Sequence, residues 1–297
     1  MKEIIEKLPP NFSKMVNLKG LNFEQKVIFA NENNLDRLSP TGVNNYLRSL
    51  YAFLKWCDGS DYIPKIPIRY ELLRVYDPVP ANEKRLPFSS TQLQTLFNSE
   101  IYAENKRDSA IFWVTLIALW NGMRSNEICQ LDVNDILKEE GIWCFDISHI
   151  SKNNGNDKSV KTRSSVRMIP IHPMLISCGL LEFHSSRPAN HKLFGDITIG
   201  CDGYYSTTFS KKVNRYFRQI GIHSRKHVFH SLRHNFRDEV RHEKIDLGIG
   251  RALGGWTSNN SESFEIYGRG YPLAQLHEEI EKIKYQELNL QHLIVSK

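Results

Sequence analysis

No Cys-x-x-Cys pair occurs in the sequence: the five cysteines, Cys57, Cys129, Cys144, Cys178 and Cys201, are odd in number and widely scattered. That argues against a disulfide framework and a cysteine-built zinc site, and it fits a reducing cytoplasm. Long apolar runs are missing too. The longest, Ala110 to Trp120, falls short of the roughly 20 residues a membrane helix needs, and Lys2, Glu3, Glu6 and Lys7 stand where a secretory signal would be patterned differently. There is neither an internal repeat nor a low-complexity tract. A soluble globular chain without membrane contact is expected.

At 297 residues the chain exceeds one comfortable hydrophobic core, so two domains are expected. The formal net charge of +6 suits a polyanionic partner, although many proteins that never touch nucleic acid share it.

Ser39-Pro40 reads as an N-cap followed by a first-turn proline, and Val43, Tyr46, Leu47, Leu50, Phe53 and Leu54 recur at helical spacing up to Trp56. Pro64, Pro67, Pro78, Pro80 and Pro87 then crowd an interval that also carries Arg69, Arg74, Lys84 and Arg85. The domains expected are a helical one over 1–68, a linker over 69–87 and a larger one over 88–297. In the larger one, Ser89 and Ser90 open a helix through Leu96. Asp108 to Trp120 reads as a buried helix ending at Asn121-Gly122, and Ser125 as the cap of the next. Residues 142–150 and 165–171 have strand character and predict one small antiparallel sheet. Helices follow near 173–184, 206–220, 231–242, 245–253 and 272–288. The fold class is mainly α with a small antiparallel β-sheet.

Several segments combine a cation or imidazole with a setting that holds it still. Arg124 sits at a loop-to-helix junction where exposed amides favour an anion, and a guanidinium there can fork onto two phosphate oxygens or simply pair with Glu127. His230 and Arg233 are one helical turn apart and can face one phosphate. Lys161 lies near the turn of the expected hairpin with Lys152, Lys158, Arg163 and Arg167, a run that also reads as a solvated basic loop. Tyr267 precedes Gly268, and nothing local marks it as different from any half-buried tyrosine.

Taken in order, Gly-Met-Arg-Ser-Asn-Glu-Ile at 122–128, the hairpin Lys161, His-Ser-Leu-Arg-His at 230–234, Leu-Gly-Gly-Trp at 253–256 and Tyr267-Gly268 resemble the tyrosine site-specific recombinase (phage integrase) family. The resemblance covers residues 85–290 and reaches back through Leu38 to Ile68, the place of the family's DNA-clamping helical domain. It implies a tyrosine recombinase catalytic domain preceded by a small helical core-binding domain, with little room for a further arm-binding domain.

By motif position the resemblance makes Arg124, Lys161, His230, Arg233, Trp256 and Tyr267 the catalytic set. Trp256 stands where a second histidine is usual; its indole N–H can donate to a phosphate oxygen but cannot carry a proton. The Trp256 to Tyr267 interval is about two residues longer than usual by the same resemblance, which makes Tyr271 a rival nucleophile, though Pro272 beside it argues against it. The implied reaction is attack of Tyr267 on a DNA phosphodiester to give a 3′-phosphotyrosyl link, without metal or cofactor, for phage or mobile-element integration and excision. A type IB topoisomerase activity, or a catalytically silent DNA-binding protein, would use the same scaffold. Lys211, Lys212, Arg215, Arg218, Arg225 and Lys226 are expected to grip double-stranded DNA. Finally, Leu273, Leu276, Ile280, Ile283 and Leu288 form a stripe that needs a partner. Either it docks on a neighbouring protomer in a tetramer formed on paired DNA sites, as the family does, or it folds back on its own domain.

Overall fold

Local sequence signals start several helices where they stand. In the computed structural model, which describes residues 1–66, 69–152, 157–160, 165–256 and 270–295, the chain divides into two units, Met1–Ala81 and Asn82–Lys297. In the first, Asn22 and Gln25 exchange capping hydrogen bonds at the start of α2 (Phe23–Glu32), following α1 (Lys2–Lys7). Ser39 Oγ accepts from Gly42 N–H, 3.2 Å away, at the start of α3 (Pro40–Gly59). Ile5, Val43 and Leu47 form one small core, and Leu8, Phe12 and Leu18 another.

The stretch read as a linker from residue 69 belongs partly to this unit. Asn44, buried on α3, donates to the Val75 carbonyl (2.9 Å) and accepts from its N–H (2.8 Å). Tyr70, at the start of α4 (Tyr70–Leu73), packs on the Ile5 cluster together with Leu73 and Val75. The division, after Ala81, falls within the 69–87 stretch expected to link the domains.

The second unit is built on α7 (Ala110–Trp120), buried along its whole length. It follows α5 (Ser90–Phe97), whose Ser89 and Gln92 form a capping box, and α6 (Glu100–Ala103). After α8 (Ser125–Cys129) come β1 (Ile136–Glu139), β2 (Ile142–Ile147) and β3 (Arg167–Pro170), an antiparallel sheet of order β1-β2-β3 in which Phe145 pairs with Ile136 on one side and Ile169 on the other. Glu140 (φ 49°) and Gly141 (φ 84°) make the two-residue turn into β2. β1 was absent from the sequence reading. The expected single helix over 173–184 is two, α9 (Pro173–Ser177) and α10 (Leu180–Ser185), broken by Gly179 at φ 88°. α11 (Tyr205–Gln219), α12 (His230–His242) and α13 (Leu247–Gly254) follow, with α12 packed on α7. Among the described residues no helix is long and apolar enough to cross a membrane.

The terminal stripe is covered by its own unit. α14 (Leu273–Ile280) is shorter than the expected 272–288, but Leu276, Ile280, Ile283, Leu290 and Leu293 are all buried in the main core. The Tyr285 hydroxyl donates to the Leu119 carbonyl at 2.9 Å, and its ring meets the Trp120 ring edge-on. Truncation at residue 272 should therefore unfold the unit, read as loss of cooperative melting.

His172 ties this segment to the sheet. Its Nδ1 accepts the Met174 N–H at 3.0 Å, capping α9, so Nε2 carries the proton and donates to the Ile283 carbonyl at 3.0 Å. Burial, chiefly, holds this imidazole down at about 4. The unfolded chain, titrating near 6.5, then binds a proton that the folded chain refuses. The stability His172 contributes is complete above about pH 6.5 and falls away as pH drops toward 4, by up to about 3 kcal/mol. His172→Asn, which keeps a capping oxygen, should flatten the dependence of urea unfolding on pH across that window; an unchanged slope would refute the assignment.

Candidate active site

Asn121 and Gly122 end α7 and begin the site. Asn121 is buried as the C-cap and bonds the sheet, donating to the Pro170 carbonyl (2.7 Å) and accepting from His172 N–H (3.2 Å). Gly122 has φ 60°, and a Cβ there would enter the Phe236 ring. Its carbonyl accepts a hydrogen bond from Arg233 Nη1.

The turn delivers Arg124 as the N-cap of α8, with Ser125 its first helical residue rather than its cap. The Arg124 backbone N–H donates to Glu127 Oε2 (3.0 Å). Its Nη1 donates to Glu127 Oε1 (2.6 Å) and to Ser165 Oγ (3.1 Å), and its Nη2 to the Gly255 carbonyl. The pairing with Glu127 thus exists, and it orients the guanidinium: the Nε–H and a second Nη2 hydrogen have no hydrogen-bond acceptor among the described residues.

Glu127 is 3 % exposed and also takes Arg167, whose Nη2 lies 3.0 Å from Oε2 and Nη1 3.3 Å from Oε1. Burial pushes this carboxyl up, but Arg167 and then Arg124 outweigh it and hold it below its ordinary range, so it is ionised. Arg167 was read from sequence as one more loop cation. Nothing in its local sequence marks it apart from Lys152 or Lys158.

α12 brings the imidazole and the third guanidinium. Arg233 is 4 % exposed and lies with Cζ 4.7 Å from the Trp256 ring centroid. Burial, then Arg124, lower Arg233 to about 9, with Arg167 and Arg237 adding to the effect; it remains a cation at neutral pH. His230 is exposed at the rim, yet desolvation by its surroundings, followed by Arg233, His234, Arg124 and Arg237, holds it at about 4. It is neutral at physiological pH. Trp256 is reached through Gly254 and Gly255 (φ 63°), and its ring covers Arg233.

Arg124, His230, Arg233 and Trp256 are therefore brought together. Lys161 and Tyr267 lie outside the described residues. Two neighbouring lysines are committed elsewhere: Lys158, its side chain 2 % exposed, bonds Asp132 (3.0 Å) and Asp135, and Lys152 pairs with Asp146 (2.7 Å). Tyr271 has its hydroxyl 3.4 Å from Asp246, the N-cap of α13, about 12 Å along that helix from the Gly254 end. The Gly255 carbonyl that Arg124 meets lies just past the opposite end of that helix.

Lys211, Lys212, Arg215 and Arg218 are exposed on α11, whose Phe209, Val213 and Phe217 face the core; Lys212 pairs with Asp196 at 2.9 Å. Arg225 and Lys226 are exposed just beyond, and their carbonyls accept from Arg85 Nη1 (2.9 Å) and Leu86 N–H (3.2 Å). Among the described residues, Glu239, His242 and Glu243 bring three metal-ligating atoms together at the end of α12 away from His230, with His242 Nδ1 3.6 Å from Glu239 and 3.2 Å from Glu243.

Comparison with known proteins follows the same geography. The model of the phage integrase family matches residues 88–269. A Tn1549 transposon integrase solved with circular intermediate DNA superposes with a TM-score of 0.52 at 16 % identity, over 87 % of this chain and 83 % of that one. The integrase from mycobacterium phage Brujita gives 0.45 at 17 % identity over 92 % and 83 %, and the XerH recombinase bound to palindromic difH gives 0.48 at 21 % identity over 83 % and 69 %. Comparison with curated proteins finds no match.

The two turn glycines should differ in cost. Gly122→Ala places a methyl in the rigid Phe236 ring on a left-handed backbone and should lose about 2–5 kcal/mol of stability. At Gly255 the obstructing atoms are the Arg167 and Arg124 guanidinium tips and not a core ring, so Gly255→Ala should lose about 1–2 kcal/mol from its left-handed backbone, with the remaining strain falling on the ion pairs to Glu127 and not on core packing. Urea unfolding of both variants checks the order.

Proposed function

Because this chain belongs to the phage integrase family, we propose that it cleaves and rejoins DNA by site-specific recombination through a 3′-phosphotyrosyl intermediate, for integration and excision of a phage or mobile element. The observation that carries the reading is the convergence of Arg124, Arg233 and neutral His230 beside Trp256, in a site where Arg124 and Arg167 share one buried carboxylate, Glu127.

Tyr267 is the proposed nucleophile. Its oxygen attacks the scissile phosphorus in line, the bond from phosphorus to the 5′-oxygen breaks, and the 5′-hydroxyl later attacks the phosphotyrosyl link of a partner strand in reverse. Arg124 and Arg233 stabilise the charge that grows on the non-bridging oxygens. His230, neutral at the start, accepts the tyrosine proton, and Lys161 protonates the leaving oxygen. The exposed cations of α11 and of 225–226 hold the phosphate backbone, making binding strongly salt-dependent. The N-terminal unit completes the grip as a core-binding domain, and a tetramer assembles on paired sites in the cytoplasm. Since the α14 stripe is buried in its own unit, contacts between protomers must use another surface.

A nicked duplex carrying the site that the protein selects from a random DNA pool tests this directly. The wild type should become covalently attached in the presence of EDTA, and Tyr267→Phe should not, while binding within about threefold of wild type because only one hydroxyl is lost. Arg124→Ala and Arg233→Ala should each slow attachment by about 10²–10³-fold. Covalent attachment by Tyr267→Phe, or a requirement for magnesium, would refute the reading.

A further inference from the structure

Arg167 is held more firmly than a loop cation needs to be. Its side chain is 10 % exposed, and it spans both oxygens of Glu127 while Nε donates to the Leu253 carbonyl (3.2 Å) and Nη1 to the Ser165 carbonyl (2.8 Å). Glu127 in turn holds Arg124, and Ser165 Oγ accepts from the same Arg124 Nη1. A Cβ on Gly255 would fall 2.6 Å from Arg167 Cζ and 3.1 Å from Arg124 Nη1, so one glycine makes room for both tips. With Arg167 absent, Glu127 would be a buried carboxylate with a single partner, free to rotate about Arg124 or to draw it inward.

We propose that Arg167 is a positioning residue: it locks the Glu127 carboxylate from the β3 side so that the Arg124 guanidinium faces the scissile phosphate. This rests on the recombinase reading for its consequence in catalysis, but not for the lock itself. Arg167 reaches the reaction only through Glu127 and Arg124. Lysine at 167 keeps the charge but lacks the planar fork that meets both carboxylate oxygens.

Two measurements decide it. In DNA-free protein, the Arg124 side-chain N–H signals, assigned by loss in Arg124→Lys, should exchange slowly with water in the wild type and fast in Arg167→Ala, with Arg167→Lys between them. On the nicked duplex of selected sequence, Arg167→Ala should slow covalent attachment roughly tenfold or more with unchanged DNA affinity, and Arg167→Lys should recover part of the rate. The double variant Arg124→Ala, Arg167→Ala should be no slower than Arg124→Ala alone, because a residue that acts through Arg124 has nothing left to act on. Multiplying effects in the double variant, or Arg124 signals indifferent to position 167, would overturn the proposal. If Arg167→Ala does not fold, the comparison of Arg167→Lys with wild type carries both readouts. A wild type that makes no adduct would defeat the recombinase reading while the Arg124 signals still decide the lock.

Discussion

Glu127 is a carboxylate sealed among guanidiniums, and such a group stays ionised inside a protein only while its partners hold it. It receives Arg124 from the turn after α7 and Arg167 from β3, and each of those reaches further, to the carbonyl of Gly255 and the carbonyl of Leu253 respectively. A single buried charge thus ties α8, the sheet and the end of α13 to one point. Arg233 lies beside this point with no carboxylate partner among the described residues, steadied by the Gly122 carbonyl and the face of Trp256. One anion serving two guanidiniums, with a third close by, leaves an excess of positive charge at this cluster. On the proposed reading, a DNA phosphodiester is the group that this excess would neutralise.

Much of this was legible in the sequence, and what was not has definite physical causes. Arg124, His230, Arg233 and Trp256 could be singled out because their order and spacing resemble one family, and the structure brings them together. The pairing of Arg124 with Glu127 was visible as the bland alternative to a catalytic role. Burial of that pair shows that the two descriptions are compatible, since the ion pair is what aims the guanidinium. Arg167 was hidden because its role depends on β3 passing Glu127, a tertiary fact that a run of lysines and arginines does not encode. β1 was missed because Ile136–Glu139 is short and half polar, and because Glu140-Gly141 offers only the glycine of the Asn-Gly or Asp-Gly pair that marks a tight hairpin, with Glu140 itself at φ 49°. The terminal stripe announced that it needed a partner but not which one. Tyr285 and the backbone contact from His172 decide for its own unit.

The site also divides its labour by charge. Arginine keeps its proton even where burial and like charge lower it, as at Arg233, so the guanidiniums supply fixed positive charge. His230 sits in the same field and gives way, remaining neutral until an anion arrives. The crowding of cations therefore keeps this imidazole uncharged and a weak base, and an anion placed among them would restore its basicity.

That coupling gives the most direct test of the account. The His230 ring can be titrated by NMR in the free protein and again with a selected duplex bound. The account predicts a value near 4 in the free protein and a rise of about one pH unit or more when a phosphate occupies the seat between Arg124 and Arg233. An imidazole that titrates identically with and without tightly bound DNA would mean that no phosphate enters the cluster, and would contradict the central claim.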